Sequence, residues 1–320
     1  MIQYILRRLL LMIPVTLLVT MGVFALARIS PADPAVVFAG EDRDPAAIEE
    51  MRKELGLDQP LPVQYVAWLS KAVQGDLGRS FQNKQRVTEA ILERIPVTFE
   101  LGLAALTISV TLALLIGVLS AVKRNSLVDL LSTSVTLMGV SFPSFFLGVV
   151  LILVFAYVIP GHIFPPGGFT PITTDVGDNL RRLVLPAVTI ATGSLALNLR
   201  QVRSSLLEVF GHEYIRTARA KGLRETVVVV RHALKNALIP VVTLVGIQVG
   251  AIIEGAVITE QIFSIPGIGR LAVQAIPSHD YPVVQGVVLV SALSFMVSTL
   301  LVDILYAWID PRISYSAASA

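Results

Sequence analysis

The chain has no cysteine, which removes disulfides, thiol nucleophiles and thiolate metal sites together. Charge is also scarce. Only 15% of the 320 residues are Asp, Glu, Lys or Arg, against 54% hydrophobic, too apolar a balance for an ordinary soluble domain. The four histidines, His162, His212, His232 and His279, are scattered without any H-E-x-x-H spacing, so a zinc protease has no support. G-x-S-x-G is missing too, since Gly139-Val140-Ser141 lacks the closing glycine. Nor is there a G-x-x-x-x-G-K-[ST] phosphate loop. Any work done by this chain must therefore be driven by another chain or by an ion gradient.

What is present is a series of long apolar runs, and the chain reads as an all-α integral membrane protein. Residues 4–29 open with Arg7 and Arg8 and continue as an apolar run of roughly twenty residues, enough to cross about 30 Å of hydrocarbon. Ala25-Leu26-Ala27 resembles a signal-peptide cleavage site, but the run exceeds a signal core of roughly 7 to 15 residues, so an uncleaved anchor is expected. Residues 30–98 differ, with acidic and proline-rich stretches, a helical segment over 45–55 ending before Gly56, and a second apolar-faced segment holding Leu61, Val63, Tyr65, Val66, Trp68 and Leu69. They predict a folded extracytoplasmic insert whose second helix lies on the membrane surface or on the protein's own spans. Further spans are expected at 99–122, 135–159 with a kink at Pro143, 183–199, 240–259 and 282–308. The total is six, with both termini cytoplasmic, and the division is 1–98 for the first span plus insert and 99–320 for a five-helix core.

The core is organised around a polar island, residues 213–240, within a cytoplasmic loop of about 204–239. Between Arg200 and Lys235 basic residues outnumber acidic ones, which places the island on the cytoplasmic side. The whole-chain net charge of +2 is small and argues for orientation and contact with lipid headgroups, not for nucleic-acid binding. Within the island Thr217, Ala218 and Ala220 are small, and Gly222 suits the left-handed residue that ends many helices. A short, slim helix is predicted. Its small side chains would let it enter a groove of a partner, and Arg216, Arg219, Lys221 and Arg224 would meet acidic groups there. The fifth span carries Gly246 and Gly250 as a close-packing step. It also carries Glu254, which near a bilayer centre costs about 2.5–3.5 kcal/mol, so a wet cavity, a partner or a place near the outer surface is expected for it. Gly267-Ile268-Gly269-Arg270-Leu271-Ala272 matches a dinucleotide fingerprint on paper, but no strand precedes it and it falls in an outer loop.

The island resembles the coupling loop of binding-protein-dependent ABC importer permeases, specifically the dipeptide/oligopeptide/nickel group. Against the broad E-A-A-x3-G-x9-I-x-L-P pattern, Ala218, Gly222 and Leu234 agree, while Arg216, Thr217, His232 and Lys235 depart in the way usual for the peptide group. The likeness extends over ELGLDQPLPVQY at 54–65, GDLGRS at 75–80, RIPVTFEL at 94–101, SFPSFFLG at 141–148, EQIFSIPGIG at 260–269 and DPRI at 310–313. The long insert is similar to that of the B-type permease subunit. The resemblance implies a type I importer fold in the inner membrane of a prokaryote. It also implies a second, C-type permease, two ABC ATPases that bind the ATP and Mg, and an extracytoplasmic solute-binding protein. No cofactor is expected in this chain. Coupling is expected from Arg216, Thr217, Ala218, Arg219, Ala220, Lys221, Gly222 and Arg224, with Glu254 and Glu260 as candidates for the pathway or an outer gate.

The alternatives are the same machinery with nickel, glutathione or an opine-like solute as cargo, a gradient-driven carrier, and a membrane-embedded enzyme. A carrier would show two similar halves and several mid-span charges for its coupling ion, whereas the sequence has no clear repeat and only Glu254 near mid-membrane. The enzyme lacks any convergent nucleophile, base or ligand set.

Overall fold

The structure, a computed structural model, describes residues 2–29, 33–39, 44–54, 56–161 and 163–309. The acidic stretch at 41–43, His162 and the closing DPRI lie outside the described residues. Helices dominate, and an antiparallel bridge between Arg79 and Arg86 is the one β contact among the described residues. By chain order they are α1 Ile2–Ile29, α2 Pro34–Ala39, α3 Pro45–Glu54, α4 Leu61–Val73, α5 Val87–Leu92, α6 Ile95–Val122, α7 Leu127–Ser141 and α8 Ser144–Ile152. There follow α9 Val176–Phe210, α10 Glu213–Ala220, α11 Glu225–Val227, α12 Leu234–Gly250, α13 Ile252–Ile262, α14 Ile268–Ala275 and α15 Tyr281–Ile309.

Five helical stretches among the described residues are long and apolar enough to cross a membrane: Leu6–Ala25, Val87–Val122, Val176–Phe210, Glu225–Gly250 and Tyr281–Val302. The count differs from the expected six because the third span is broken, not kinked. Pro143 forces the residue before it out of helical space, and Phe142 stands extended at φ −86°, ψ 127°. What remains is α7, then the shorter apolar stretch Ser144–Val158 formed by α8 and a π-helical turn. The fifth span departs in another way. Pro240 does not start it but lies inside α12, and the helical run begins at Glu225, continues through a π-helical turn at Val228–Ala233 and ends at Gly250, with Ala251 (φ −87°, ψ 4°) separating it from α13.

The chain forms two compact units. The first holds residues 1–98 and 266–297. In it Tyr65 and Trp68 of α4 pack against Phe24 of α1, with ring centroids 5.5 and 6.4 Å away, and the Tyr65 hydroxyl meets Thr20 Oγ1 at 2.9 Å. Of the two supports expected for α4, this face uses the protein's own span. Asp280 ties the insert down by accepting from the Ser80 hydroxyl and from Phe81 N at 3.0 Å, and Thr98 Oγ1 accepts from Ile268 N at 2.9 Å.

The second unit holds residues 99–265 and 298–320, and α9 runs through it. Asp175 caps this helix by accepting from Asp178 N at 3.0 Å, satisfying one of the donors a helix start leaves free. Arg182 in the second turn of α9 is engaged locally: its Nε donates to Asp178 at 2.8 Å and its Nη1 to Gly167 O at 2.8 Å. Close approaches occur at glycine. A Cβ on Gly117 of α6 would lie 2.8 Å from Val202 of α9, and one on Gly246 of α12 would lie 2.7 Å from Val302. Gly246→Val is therefore expected to lower the melting temperature of the purified chain, by the equivalent of about 1–3 kcal/mol of overpacking. Adding Val302→Ala should restore most of it, and a double variant no better than the single one would place the strain elsewhere.

Candidate coupling surface

The apolar periodicity of residues 213–220 is brief but sharp, since Ile215 and Ala218 are the two buried residues of α10 and are separated by three positions, nearly one helical turn. Both enter one core cluster. Ile215 is 0% and Ala218 7% exposed, packed among Val202, Leu206 and Val209 of α9, Val228 and Ala233 of the π-helical turn, and Ala237 and Val241 of α12. The short helix is thus wedged into the joint where α9 ends and the next long helical run begins.

Its outer face is made by the remaining predicted residues. Arg216, Thr217, Arg219, Ala220, Lys221, Gly222 and Arg224 are exposed. Ala218 stands apart from them, because its small side chain faces inward and lets the backbone of α10 lie close to its own bundle. The helix ends as its residues dictate: Lys221 N donates to Thr217 O at 3.1 Å, Gly222 N to Arg219 O at 2.9 Å, and Gly222 adopts φ +77°. A Cβ there would meet no atom within 4 Å. Glycine is required at 222 by conformation and not by space.

Polar bonds fix the rim. Arg219 donates through Nε and Nη2 to the Glu225 carboxylate at 3.1 and 2.6 Å, and its guanidinium lies 5.4 Å over the Phe210 ring. That bond to Glu225 raises the Arg219 pKa above its usual value. Arg216 pairs with Glu213 at 2.8 Å, and Asn236 donates to the Tyr214 hydroxyl at 2.8 Å. Exposed pairs of this kind contribute little to stability, so their effect is to orient the turn between α10 and α11. Among the described residues no ion pair engages Lys221 or Arg224. Both remain available at the surface.

Behind this surface two polar connections run through the unit that the residue types alone did not single out. Asp129 of α7 accepts from Arg203 of α9 at 2.6 and 2.9 Å, from the Ser120 hydroxyl of α6 at 2.6 Å and from Asn125 N at 3.0 Å. With Arg203 as the largest cause and Ser120 and Asn125 next, these bonds hold the Asp129 carboxyl well below the usual carboxylate range. Deeper in, Asn198 of α9 and Gln248 of α12 exchange amide hydrogen bonds at 3.0 Å in each direction, and Asn198 also donates to Ser109 of α6 at 2.9 Å. A signal for both sets exists in the sequence, as isolated polar residues within apolar helices; their pairing is set only by the packing.

Glu260 and Glu254 both lie on α13. Glu260 is fully buried, and its main-chain oxygen accepts from Ile265 N at 2.8 Å in the turn after the helix. The side chain of Glu254 lies outside the described residues. No group of three or more His, Cys, Asp or Glu suited to a metal ion occurs among the described residues.

Known proteins are similar to this chain in sequence. Residues 113–315 match the family described as the inner membrane component of binding-protein-dependent transport systems, and residues 1–102 match the N-terminal component of the same systems. A peptide transport system permease protein of Brucella suis is 43% identical over 311 residues, covering 97% of this chain and 98% of the relative. The glutathione transport system permease proteins GsiC of Pectobacterium atrosepticum and Escherichia coli are 41% and 40% identical over 315 residues, each covering 98% of this chain and 100% of the relative. Two family matches that together span nearly the whole chain, over a helical bundle with membrane-length apolar helices, place it: the chain belongs to the binding-protein-dependent family of inner-membrane ABC importer permeases.

Proposed function

We propose that this chain is one of two unlike permease subunits of a di- or oligopeptide importer, and that α10 is the element through which partner ATPases move it. The carrying observation is the seating of α10: an inner face locked by Ile215 and Ala218 into α9 and the α11–α12 run, and an outer face of small and basic side chains. A helix so mounted passes a push directly to two long helices. The ATPases would bind and hydrolyse ATP with Mg, and a solute-binding protein would deliver cargo to the other side. With α10 on the cytoplasmic side, both termini are cytoplasmic as well. Closure of the ATPase pair would then displace each coupling helix as a rigid body and switch the bundle between two accessible states.

The cargo assignment rests on the relatives, one group described as peptide and another as glutathione permeases. Glutathione is itself a small peptide, so both fit one substrate class. Glu254 and Glu260 are proposed for the pathway or an outer gate.

The seating of α10 sets Ala218 and Ala220, two positions apart, on opposite faces. Ala220→Tyr places a ring on the exposed face, and the ATPases should be lost on purification while the chain itself is recovered at normal yield. Ala218→Tyr must disturb the inner packing, so yield and partners should fall together; full retention of ATPases by Ala220→Tyr would detach α10 from the coupling role. Gly222 offers a graded test, because a left-handed residue costs a branched side chain more than about 1–2 kcal/mol, whereas asparagine tolerates it. In liposomes carrying the whole complex, Gly222→Val should abolish most ATP-driven uptake of a labelled dipeptide and Gly222→Asn should keep a large part. Equal uptake by both variants would mean the turn does not transmit force. Glu254→Gln is expected to lower uptake without loosening the ATPases, and unchanged uptake removes Glu254 from the pathway.

A further inference from the structure

The first unit contains a cavity of about 390 Å³ between the end of α1, the side of α4 and the loop before α5. Its lining is unusual for such an apolar protein. Arg28, Lys71 and Arg79 line it against one acid, Asp76, and among the described residues none of the three cations is in an ion pair. Two donors are buried without a hydrogen-bond partner, Arg28 Nε and Trp68 Nε1. The nearest acid to Arg28 in sequence, Asp33, is already bonded to Arg52. The half-buried Arg28 guanidinium lies 5.1 Å over the Phe24 ring, yet its Nε and the Trp68 indole N–H have no acceptor, and with three cations lining one cavity this donor set suits an anion with several acceptor oxygens.

Position selects the source of that anion. Arg28 is the first charged residue after the long apolar run of α1 and lies in the last turn of that helix, where lipid headgroups stand. Tyr65 and Trp68 pack on Phe24, one helical turn before Arg28, as aromatic residues do near a membrane boundary. On the side of α4 away from Trp68, Val66 and Val73 are exposed, at 62% and 81%, an apolar surface that matches acyl chains and not water. We infer that this cavity holds the phosphate headgroup of an anionic phospholipid, bound by Arg28 and Trp68 with Lys71 and Arg79 at the rim, and that α4 rests on the bilayer surface beside it. The lipid would fix the insert at a set depth on the membrane.

The chain has two tryptophans, Trp68 and Trp308, so Trp308→Phe leaves Trp68 as the reporter in the full-length chain. In nanodiscs of phosphatidylcholine, a small fraction of phosphatidylglycerol with brominated chains is expected to quench Trp68 about fivefold more effectively than the same fraction of brominated phosphatidylcholine, the advantage one basic contact gives at an anionic surface. Arg28→Gln should bring the two curves together, and the surface variant Lys71→Gln should narrow the gap without disturbing the helix. Equal quenching by the two lipids overturns the inference. So does a preference untouched by both variants, or one erased by millimolar inorganic phosphate, which would leave a free-anion site unrelated to lipid.

Discussion

Ile215 and Ala218 hold α10 in the joint between α9 and the run that leads into α12, and the behaviour of the whole second unit depends on that packing. In a bilayer, helices gain little from hiding apolar surface from one another, so they are held by close fit and by polar bonds. A short helix outside the apolar region is different. It faces water on one side and can be fixed by ordinary hydrophobic burial on the other. The buried pair thus joins a water-exposed element to a membrane-embedded one, and small residues are needed on the inner face as much as on the outer.

The joint is stiffened by charge. Asp129 receives a two-pronged bond from Arg203 together with bonds from Ser120 and Asn125, so α6, α7 and α9 meet at a carboxylate whose bonding capacity is nearly filled. Breaking such a pair from one side leaves an unmatched charge, typically a loss of about 3–5 kcal/mol. The Asn198, Gln248 and Ser109 bonds act similarly further along α9, with smaller individual contributions of about 1 kcal/mol. Helices connected at two levels move as a set. Under the proposed coupling role, motion received at α10 would be carried as displacement of helices and not dissipated as bending.

How much of this was readable in advance varied with the kind of signal. Apolar runs identified the membrane class, the first, second and last spans, and the polar island, because hydrocarbon imposes a composition and a length on any segment that crosses it. Gly222 could be read as a helix stop because its left-handed conformation is a property of the local backbone. At Pro143 the sequence predicts only a kink, since a proline removes one bond within a helix, but the preceding Phe142 leaves helical space for the β region, and whether a proline kinks or breaks depends on what packs on either side. Pro240 went the opposite way, lying inside α12 without ending it.

By itself, then, the sequence determined the class, the approximate spans, the family and the position of the short helix proposed for coupling, since each is written in local composition or in an ordered series of motifs. Tertiary structure alone decided which way each residue of that segment faces. Ala218 and Ala220 are chemically identical and two positions apart, yet one is enclosed and the other open. At about 100° of rotation per residue, two positions carry a side chain to the far side of the helix. The side that becomes the inside is chosen by the neighbouring helices, through contacts between residues distant in the chain.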